Sequence, residues 1–313
     1  MIQIENLKKY YGNVRAVDGV SFTVEKGEIL GFLGPNGAGK TTTMRIISCF
    51  MPATSGSAKV AGFDVFEESL EVRKRIGYQP ENVPLYKDMT VTSYLNFIAE
   101  IRGIDSRERK AKVNKVMNEC GIEEVSHKLI KNLSKGYRQR VGISQALVHD
   151  PDILILDEPT IGLDPRQIHD IRSLIKNLTG ERTIILSSHI LPEVSATCQR
   201  VIIINEGKIV AMDTPENLTA VLQNVRKIIV EIEGPSDDIL KELGSMDGVK
   251  NVEKKEVKSE NLATYQLDTV IEKDIRREIS TNISKNNWIM TQMNMIDMSL
   301  EDIFIKLVNK EKV

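Results

Sequence analysis

Residues 34–41 read Gly-Pro-Asn-Gly-Ala-Gly-Lys-Thr and match the pattern GxxxxGK[ST]. The apolar segment 28–33 before them predicts a strand, and the residues after them predict a helix from about Lys40 to Phe50. In such a strand–loop–helix unit the glycines allow backbone N–H groups to surround phosphates at the positive end of the helix. We therefore predict a nucleotide-phosphate site, with these candidate binding residues: Gly34, Asn36, Gly37, Ala38, Gly39, Lys40, Thr41 and Thr42.

Within this loop, the side chains of Lys40 and Thr41 carry the expected chemistry. A lysine at this position reaches the β- and γ-phosphates, and a hydroxyl at the next position ligates Mg²⁺. A plain glycine turn is the alternative, and the strand–helix context makes it the weaker interpretation. ATP and Mg²⁺ are thus the expected ligands.

A second motif is an acidic pair, Asp157 and Glu158, at the end of the apolar run 153–156. A buried strand that delivers two carboxylates to one edge of a sheet is costly unless they meet a cation or a substrate proton. Asp157 is predicted to hold Mg²⁺, and Glu158 to orient and deprotonate the attacking water. The alternative, an acidic helix cap before Pro159, is far weaker once the phosphate loop is considered.

Composition limits the classes of protein that fit. The 313 residues are 41% hydrophobic, 27% charged and 5% aromatic, with a net charge of −2, which suits a folded protein and disfavours nucleic-acid binding. The length favours two domains. Because there is no 18-residue apolar run, no signal-like N-terminus and only three separated cysteines, the sequence predicts a cytosolic chain without a membrane span, disulfides or a cysteine metal site.

The order of predicted elements gives an α/β fold with a smaller α+β domain behind it. Strands over 152–157 and 183–188, separated by a helix over 165–178, predict a parallel sheet covered on both faces. After the helix start at Thr214 and Pro215 the pattern becomes βαββαβ, which is that of a ferredoxin-like unit. The predicted domains are 1–220, with a helical subdomain at about 85–145, and 221–313.

With these motifs in place, the chain resembles the ATP-binding subunits of ABC transporters over residues 1–220. The resemblance implies a P-loop ATPase fold with a helical subdomain, and it assigns roles to further residues. Gln79 would touch Mg²⁺ and couple to a membrane subunit, and His189 would contact the γ-phosphate. Tyr11, with Tyr10 as the alternative, would stack on adenine, although each of these residue types more often has a purely structural place.

The segment Leu133-Ser-Lys-Gly-Tyr137 is similar to the family signature LSGGQ. Ser134 and Gly136 are kept, and the resemblance implies that they contact the γ-phosphate. Lys135 stands in place of a glycine and Tyr137 in place of a glutamine. We hypothesise that Lys135 adds positive charge near the phosphate bound by a partner subunit.

The family resemblance also implies the assembly. Two subunits would close head-to-tail around two ATP molecules, with the loop 161–164 crossing between them, so the expected partners are a second identical chain and a separately encoded integral-membrane permease. That places the protein at the cytoplasmic face of the cell membrane, as the ATPase of an exporter of the ABC-2 type. The chain is most similar to the gliding-motility-associated group, followed by multidrug subunits and copper-related subunits of nitrous oxide reductase maturation. A ribosome- or DNA-acting ABC ATPase and a non-catalytic regulatory subunit are the alternatives.

The final 90 residues contain a group of closely spaced methionines. Met290, Met293, Met295 and Met298 form a cluster that suggests either a soft Cu(I) site or core packing. Strand alternation predicts Met293 and Met295 on one face and Met290 on the other, which favours core packing. A closing helix is predicted from Ser299.

Overall fold

The computed structural model describes residues 2–178, 180, 182–222, 226–259, 261–269 and 274–296, apart from the side chains of 219–222, 226, 227 and 296. The predicted closing helix from Ser299 and Met298 of the methionine cluster lie outside these residues. The chain divides into two compact units, with the division between Pro215 and Glu216.

The first unit contains two sheets. The smaller one is antiparallel with the strand order β2-β1-β4-β5, and it forms because β1 pairs with β2 on one side and with β4 on the other. Its strands are β1 (Ile2–Tyr11), β2 (Val14–Val24), β4 (Ser55–Val60) and β5 (Phe63–Asp64). Alternating buried residues of β1 and β2, such as Ile2, Ile4 and Val24, pack into the core of this unit.

The larger sheet has the order β10-β9-β3-β8-β7-β6. Neighbouring strands from β9 to β6 are parallel, and β10 pairs antiparallel with β9. Its strands are β3 (Ile29–Leu33), β6 (Ile76–Gln79), β7 (Ile153–Asp157), β8 (Thr183–Ser188), β9 (Arg200–Asn205) and β10 (Lys208–Asp213). All residues of β3, β7 and β8 are buried, as expected of parallel strands covered on both faces. The predicted α/β fold is confirmed.

Helices connect and cover these strands: α1 (Lys40–Ile47), α2 (Ser69–Arg75), α3 (Val91–Ile101), α4 (Ser106–Glu119), α5 (Lys135–Leu147), α6 (Pro165–Asn177) and α7 (Leu191–Ser195). Three of them, α3, α4 and α5, follow one another between β6 and β7 and pack together through buried residues such as Tyr94, Val113 and Ile143. In the sequence, this helical segment therefore separates two strands that pair with each other in the sheet.

Helix α8 (Pro215–Leu222) starts where the sequence predicts, at the division between the units, and the second unit continues as βαββαβ. Its antiparallel sheet has the order β12-β13-β11-β14. The remaining elements are β11 (Arg226–Glu233), α9 (Ser236–Gly244), β12 (Val249–Val257), β13 (Leu262–Thr269), α10 (Arg276–Lys285) and β14 (Ile289–Ile296). Tyr265, Leu267 and Ile279 belong to its hydrophobic core.

Two sequence predictions about local structure are wrong. Helix α1 ends at Ile47 rather than near Phe50, because Cys49 is left-handed (φ 58°) and the N–H groups of Cys49 and Phe50 bond back to the carbonyls of Ile46 and Arg45. On β14, an extra residue at Thr291 shifts the register.

Because of this bulge, Met290 and Met293 lie opposite Ile232 and Val230 and both pack against the core of the second unit. The prediction that Met290 lies on the other face is therefore wrong. The preference for core packing over a copper site gains support for these two side chains, while Met295 is 39% exposed.

Candidate active site

Four predicted site segments meet at one edge of the large sheet because each follows the carboxyl end of a parallel strand. The phosphate loop (34–41) follows β3, Asp157 and Glu158 come at the end of β7, His189 follows β8, and Gln79 ends β6. In the sheet β3 pairs with β8, β8 with β7 and β7 with β6. Residues distant in sequence are thereby brought side by side.

The phosphate loop has the backbone conformation that its glycines permit. Gly37 and Gly39 have φ values of 81° and 106°, which side-chain-bearing residues rarely adopt. A Cβ on Gly34 or Gly39 would lie 2.4 Å from a carbonyl oxygen, that of Ile204 or Ala16. No side chain caps α1 at Gly39, so the first N–H groups of this helix remain available to an anion.

Lys40 is the first residue of α1 and is 5% exposed. Its ammonium donates hydrogen bonds to the carbonyl oxygens of Gly34, at 2.8 Å, and Pro35, at 3.2 Å. It also lies 3.2 Å from Oε1 of Glu158. The phosphate oxygens of a bound nucleotide would therefore compete with these two carbonyl oxygens and with Glu158 for the ammonium of Lys40.

Asp157 is fully buried and links three elements. Its Oδ1 accepts hydrogen bonds from Ser187, at 2.6 Å, and from Thr41, at 3.1 Å, while its Oδ2 has no partner. Burial raises the pKa of this carboxyl, and the two hydroxyl donors act in the opposite direction. Ser187 is not among the residues predicted for the site, although two consecutive serines precede His189 in the sequence.

Glu158 is buried and lies between Lys40 and His189. Nδ1 of His189 lies 2.8 Å from Oε2 of Glu158; because a carboxylate only accepts, this nitrogen carries the hydrogen. The backbone of Glu158 is left-handed (φ 49°), and its N–H donates to Ser187 at 2.9 Å. A strained backbone of this kind persists only where its surroundings hold it.

Gln79 is completely buried at the end of β6. Its amide nitrogen donates to the side chain of Gln139 on α5, whereas its amide oxygen has no partner. The residue therefore connects the sheet to the helical segment and keeps one acceptor free.

The signature residues lie at the start of α5. Ser134 is the N-cap and accepts from the N–H of Tyr137 at 3.3 Å, and Gly136 packs under Gln167 of α6, whose Oε1 would lie 2.9 Å from an added Cβ. The ammonium of Lys135 lies against Gly162 of the loop 161–164, since a Cβ there would be 2.2 Å from Nζ. Tyr137 donates to Glu124.

The two candidate adenine-stacking residues differ in environment. Tyr11 is 47% exposed, and its hydroxyl contacts the sulfur of Met51 at 3.1 Å. The hydroxyl of Tyr10 donates to Asp18 at 2.7 Å. Tyr11 is thus the one whose ring is more open to a ligand.

A cleft of about 250 Å³ brings many of the predicted residues together, and we call it the phosphate cleft. Its lining consists of Ala16, Asn36, Gly37, Gly39, Lys40, Thr41, Thr42, Glu81, Glu158 and Ile161. The lining does not include the other predicted site residues, which are Tyr11, Gly34, Ala38, Gln79, Ser134, Gly136, Asp157 and His189. A larger cavity of about 750 Å³ lies around 49–58 and 64–73, outside the phosphate loop.

Three oxygen donors suited to a magnesium ion lie at the ends of β6 and β7 and in the phosphate loop. The unpartnered oxygens of Asp157 and Gln79, with the hydroxyl of Thr41, form the hard donor set that Mg²⁺ prefers. These three are too few for an all-protein cage, and in the part of the chain that the structure describes no group of three or more His, Cys, Asp or Glu side chains is suited to hold a metal. The residues fit an ion that is completed by nucleotide phosphates and water.

A parallel sheet with a phosphate loop after one strand and an acidic pair after another defines a nucleotide-hydrolysing P-loop protein. Comparison with known proteins places it more closely. The ABC transporter family model matches residues 17–161. The linearmycin resistance ATP-binding protein LnrL of Bacillus subtilis is 36% identical over 254 residues, which are 80% of this chain and 81% of that protein.

The Nod factor export ATP-binding protein I of Paraburkholderia xenovorans is 32% identical over 312 residues, 99% of this chain and 97% of that protein. A nucleotide-free ATP-binding cassette from an ABC transporter superposes with a TM-score of 0.65 at 27% identity, covering 71% of this chain and 94% of the cassette. The chain belongs to the ATP-binding subunits of ABC transporters and is an ATPase of that family. Among the described residues, no helix is both long and apolar enough to span a membrane.

Proposed function

We propose that this chain is the energy-coupling ATPase of an exporter and works with a separately encoded permease at the cytoplasmic face of the membrane. The observation that carries the proposal is the contact of Glu158 with both Lys40 and His189 beside the phosphate loop. In this arrangement Lys40 would bind the β- and γ-phosphates, and Glu158 would accept the proton of the attacking water. His189 would hold Glu158 in place and contact the γ-phosphate.

Mg²⁺ would be held by Thr41 and Asp157, with Gln79 nearby, and would neutralise charge on the phosphates. The protein keeps oxygens available for the ion: Ser187 donates a hydrogen bond to Oδ1 of Asp157, while Oδ2 of Asp157 and the amide oxygen of Gln79 have no partner. Tyr11 would carry the adenine, and Ser134 and Gly136 would bind the γ-phosphate held by a second copy of the chain. The working form in ATP would accordingly be a homodimer.

The proposed direction of transport is based on the names of related proteins. The names of LnrL and the Nod factor protein refer to linearmycin resistance and to Nod factor export. The relative with the export name aligns with 99% of this chain, including its second unit. Export of the multidrug type is therefore favoured, and the gliding-motility assignment remains a prediction from the resemblance.

We further propose that the domains are 1–220 and 221–313, with a helical subdomain at about 85–145, and that the second domain is a ferredoxin-like extension. Supporting this, the division at Pro215 and Glu216 precedes a βαββαβ unit whose sheet has the order β12-β13-β11-β14. In that order the first and third strands are central, as in the ferredoxin-like arrangement.

Hydrolysis of ATP by the purified chain tests the core of the proposal. We expect phosphate release that requires Mg²⁺ and is abolished by EDTA, by Lys40→Met and by Asp157→Asn. Lys74→Gln is a suitable control, because Lys74 is an exposed cation outside the phosphate cleft. Hydrolysis that survives both Lys40→Met and Asp157→Asn would contradict the assigned site.

The transport partner needs a second test. The permease is expected from a neighbouring gene with about six apolar spans of 20 residues. Co-expression of both proteins should recover the ATPase in the membrane fraction, and the permease alone should not support ATP-driven export from cells. Recovery of the chain on ribosomes or DNA instead would favour the alternative class.

A further inference from the structure

Glu193 is a buried carboxylate for which the proposed site has no role. It lies on the short helix α7 and is 5% exposed. Its Oε2 accepts two hydrogen bonds, one from the hydroxyl of Thr160 and one, at 3.2 Å, from the hydroxyl of Ser188. Its Oε1 has no partner. Burial of a carboxylate costs free energy, and the two hydroxyl donors offset part of that cost and hold the group in place.

The two donors belong to different segments, and both segments carry site residues. Thr160 comes two residues after Glu158, and Ser188 comes immediately before His189. Ser188 is itself fixed, because its hydroxyl also accepts from the N–H of Ile190 at 3.0 Å. One carboxylate oxygen therefore joins the segment after β7 to the end of β8, close to where Glu158 and His189 meet.

Helix α7 provides a rigid base for this carboxylate. The next residue, Val194, is fully buried against β3 at Gly31, where an added Cβ would lie only 2.1 Å from Cγ1 of Val194. Such close packing resists small displacements. The packing of α7 on β3 thus holds Glu193, whose carboxylate in turn holds the hydroxyls of Thr160 and Ser188.

The segment that Thr160 anchors needs such support. Glu158 has a left-handed backbone (φ 49°), and its N–H donates to Ser187. The turn that follows is closed by two backbone hydrogen bonds, which the N–H groups of Ile161 and Leu163 donate. Thr160 gives this turn a side-chain attachment to a separate element. Loss of that attachment would let the backbone at Glu158 relax toward an unstrained conformation.

We propose that Glu193 is a positioning residue for hydrolysis: it ties Thr160 to Ser188 and so keeps Glu158 and His189 in their mutual contact. The proposal rests on the roles given above to Glu158 and His189. It predicts an effect on the chemical step rather than on nucleotide binding, because the hydrogen bonds of Glu193 go to Thr160 and Ser188 and not to Lys40 or the phosphate loop. Misplacement of a catalytic group by about 1 Å costs on the order of 10²-fold in rate.

The test compares steady-state ATP hydrolysis of paired variants. Thr160→Val keeps the side-chain shape and removes the donor, and Glu193→Met keeps the length and removes the acceptor. We expect kcat to fall about 10- to 100-fold in each, with KM for ATP within about threefold of the unaltered chain. Thr160→Ser and Glu193→Gln keep a donor and an acceptor, and should retain kcat to within about threefold.

Thr183→Val is the matched control. Thr183 is also a buried threonine, at the opposite end of β8, and its hydroxyl accepts from the N–H of Gly27 at 3.0 Å. This variant should lower the midpoint of thermal unfolding as Thr160→Val does, with kcat within about twofold of the unaltered chain. If Glu193→Met does not fold, the isosteric Thr160→Val decides the comparison.

The outcomes distinguish a failure of the role of Glu193 from a failure of the proposed ATPase function. Equal kcat values for Thr160→Val and Thr183→Val, or a raised KM with unchanged kcat, would overturn the role of Glu193 and leave the ATPase assignment intact. An unaltered chain that releases no phosphate from ATP and Mg²⁺ would overturn the proposed function and this inference together. A selective loss of kcat that Thr160→Ser restores is the result that supports it.

Discussion

Lys40 and Glu158 form a buried ion pair, with Nζ 3.2 Å from Oε1 and both side chains about 5% exposed. They are 118 residues apart in sequence and meet because their strands β3 and β7 both border β8. In this arrangement the residue expected to bind phosphate neutralises the residue expected to activate water. Nucleotide phosphates would compete with Glu158 for the ammonium.

Lys40→Met is predicted to destabilise the nucleotide-free protein by about 3 to 5 kcal/mol, because it leaves Glu158 buried without its cation. Chemical unfolding at pH 7.5 measures the change. The double variant Lys40→Met with Glu158→Gln should recover most of the loss. Lys74→Met provides the control, since the Lys74–Glu71 pair is largely exposed and should contribute less than about 1 kcal/mol. Equal effects of Lys40→Met and Lys74→Met would contradict the prediction.

Glu158→Gln is predicted to slow hydrolysis about 10²- to 10⁴-fold while ATP binding persists. The amide cannot accept the proton of the attacking water, yet it preserves the size of the side chain. Since hydrolysis would no longer separate the subunits, sedimentation should show an ATP-dependent dimer. Adding Lys40→Met to this variant should abolish the dimer. A Glu158→Gln chain that stays monomeric at saturating ATP would count against the proposed pairing of subunits.

His149 is predicted to make stability depend on pH. Burial lowers its pKa to about 4, below the usual 6.5, and its Nε2 lies 3.0 Å from the carbonyl oxygen of Ile76. The unfolded chain therefore binds a proton at a higher pH than the folded chain does. Stability from the neutral ring is present above pH 6.5 and is lost as the pH falls toward 4.

Between pH 7.5 and pH 5 this residue should remove about 2 kcal/mol from the free energy of unfolding. Urea unfolding of the unaltered chain and of His149→Gln measures the difference, and the variant should have a shallower pH dependence. His169→Asn is the control, because the side chain of His169 is 73% exposed. Identical pH profiles for His149→Gln and the unaltered chain would show that another group is responsible.

The sequence was sufficient to locate the edge at which the site forms, for a physical reason. The apolar runs in β3, β7 and β8 are short, and such runs predict buried parallel strands whose carboxyl ends meet. Motifs directly after these strands must then come together. The confirmed fold follows from this pattern more than from any single residue.

Other features depend on contacts that no local pattern encodes. The pairing of β1 with both β2 and β4 separates a second sheet from the first, although each strand alone has an ordinary β pattern. The bulge at Thr291 reverses the expected face of Met290. The bond from Thr160 to Glu193 joins residues 33 positions apart, and a glutamate on a short helix ordinarily predicts an exposed side chain.

Lys135 replaces a family glycine at the first position of α5, and its variant Lys135→Gln tests the role of that charge. A cation at a helix N-terminus opposes the helix dipole, so the variant should be more stable by about 0.3 to 1 kcal/mol. If Lys135 adds charge near the phosphate held by a partner subunit, the same variant should need several-fold more ATP to dimerise in the Glu158→Gln background. Lys87→Gln serves as a control for a nearby lysine outside the signature. Unchanged ATP dependence together with unchanged turnover in Lys135→Gln and Lys135→Gly would show that the lysine only contacts Gly162 of its own chain.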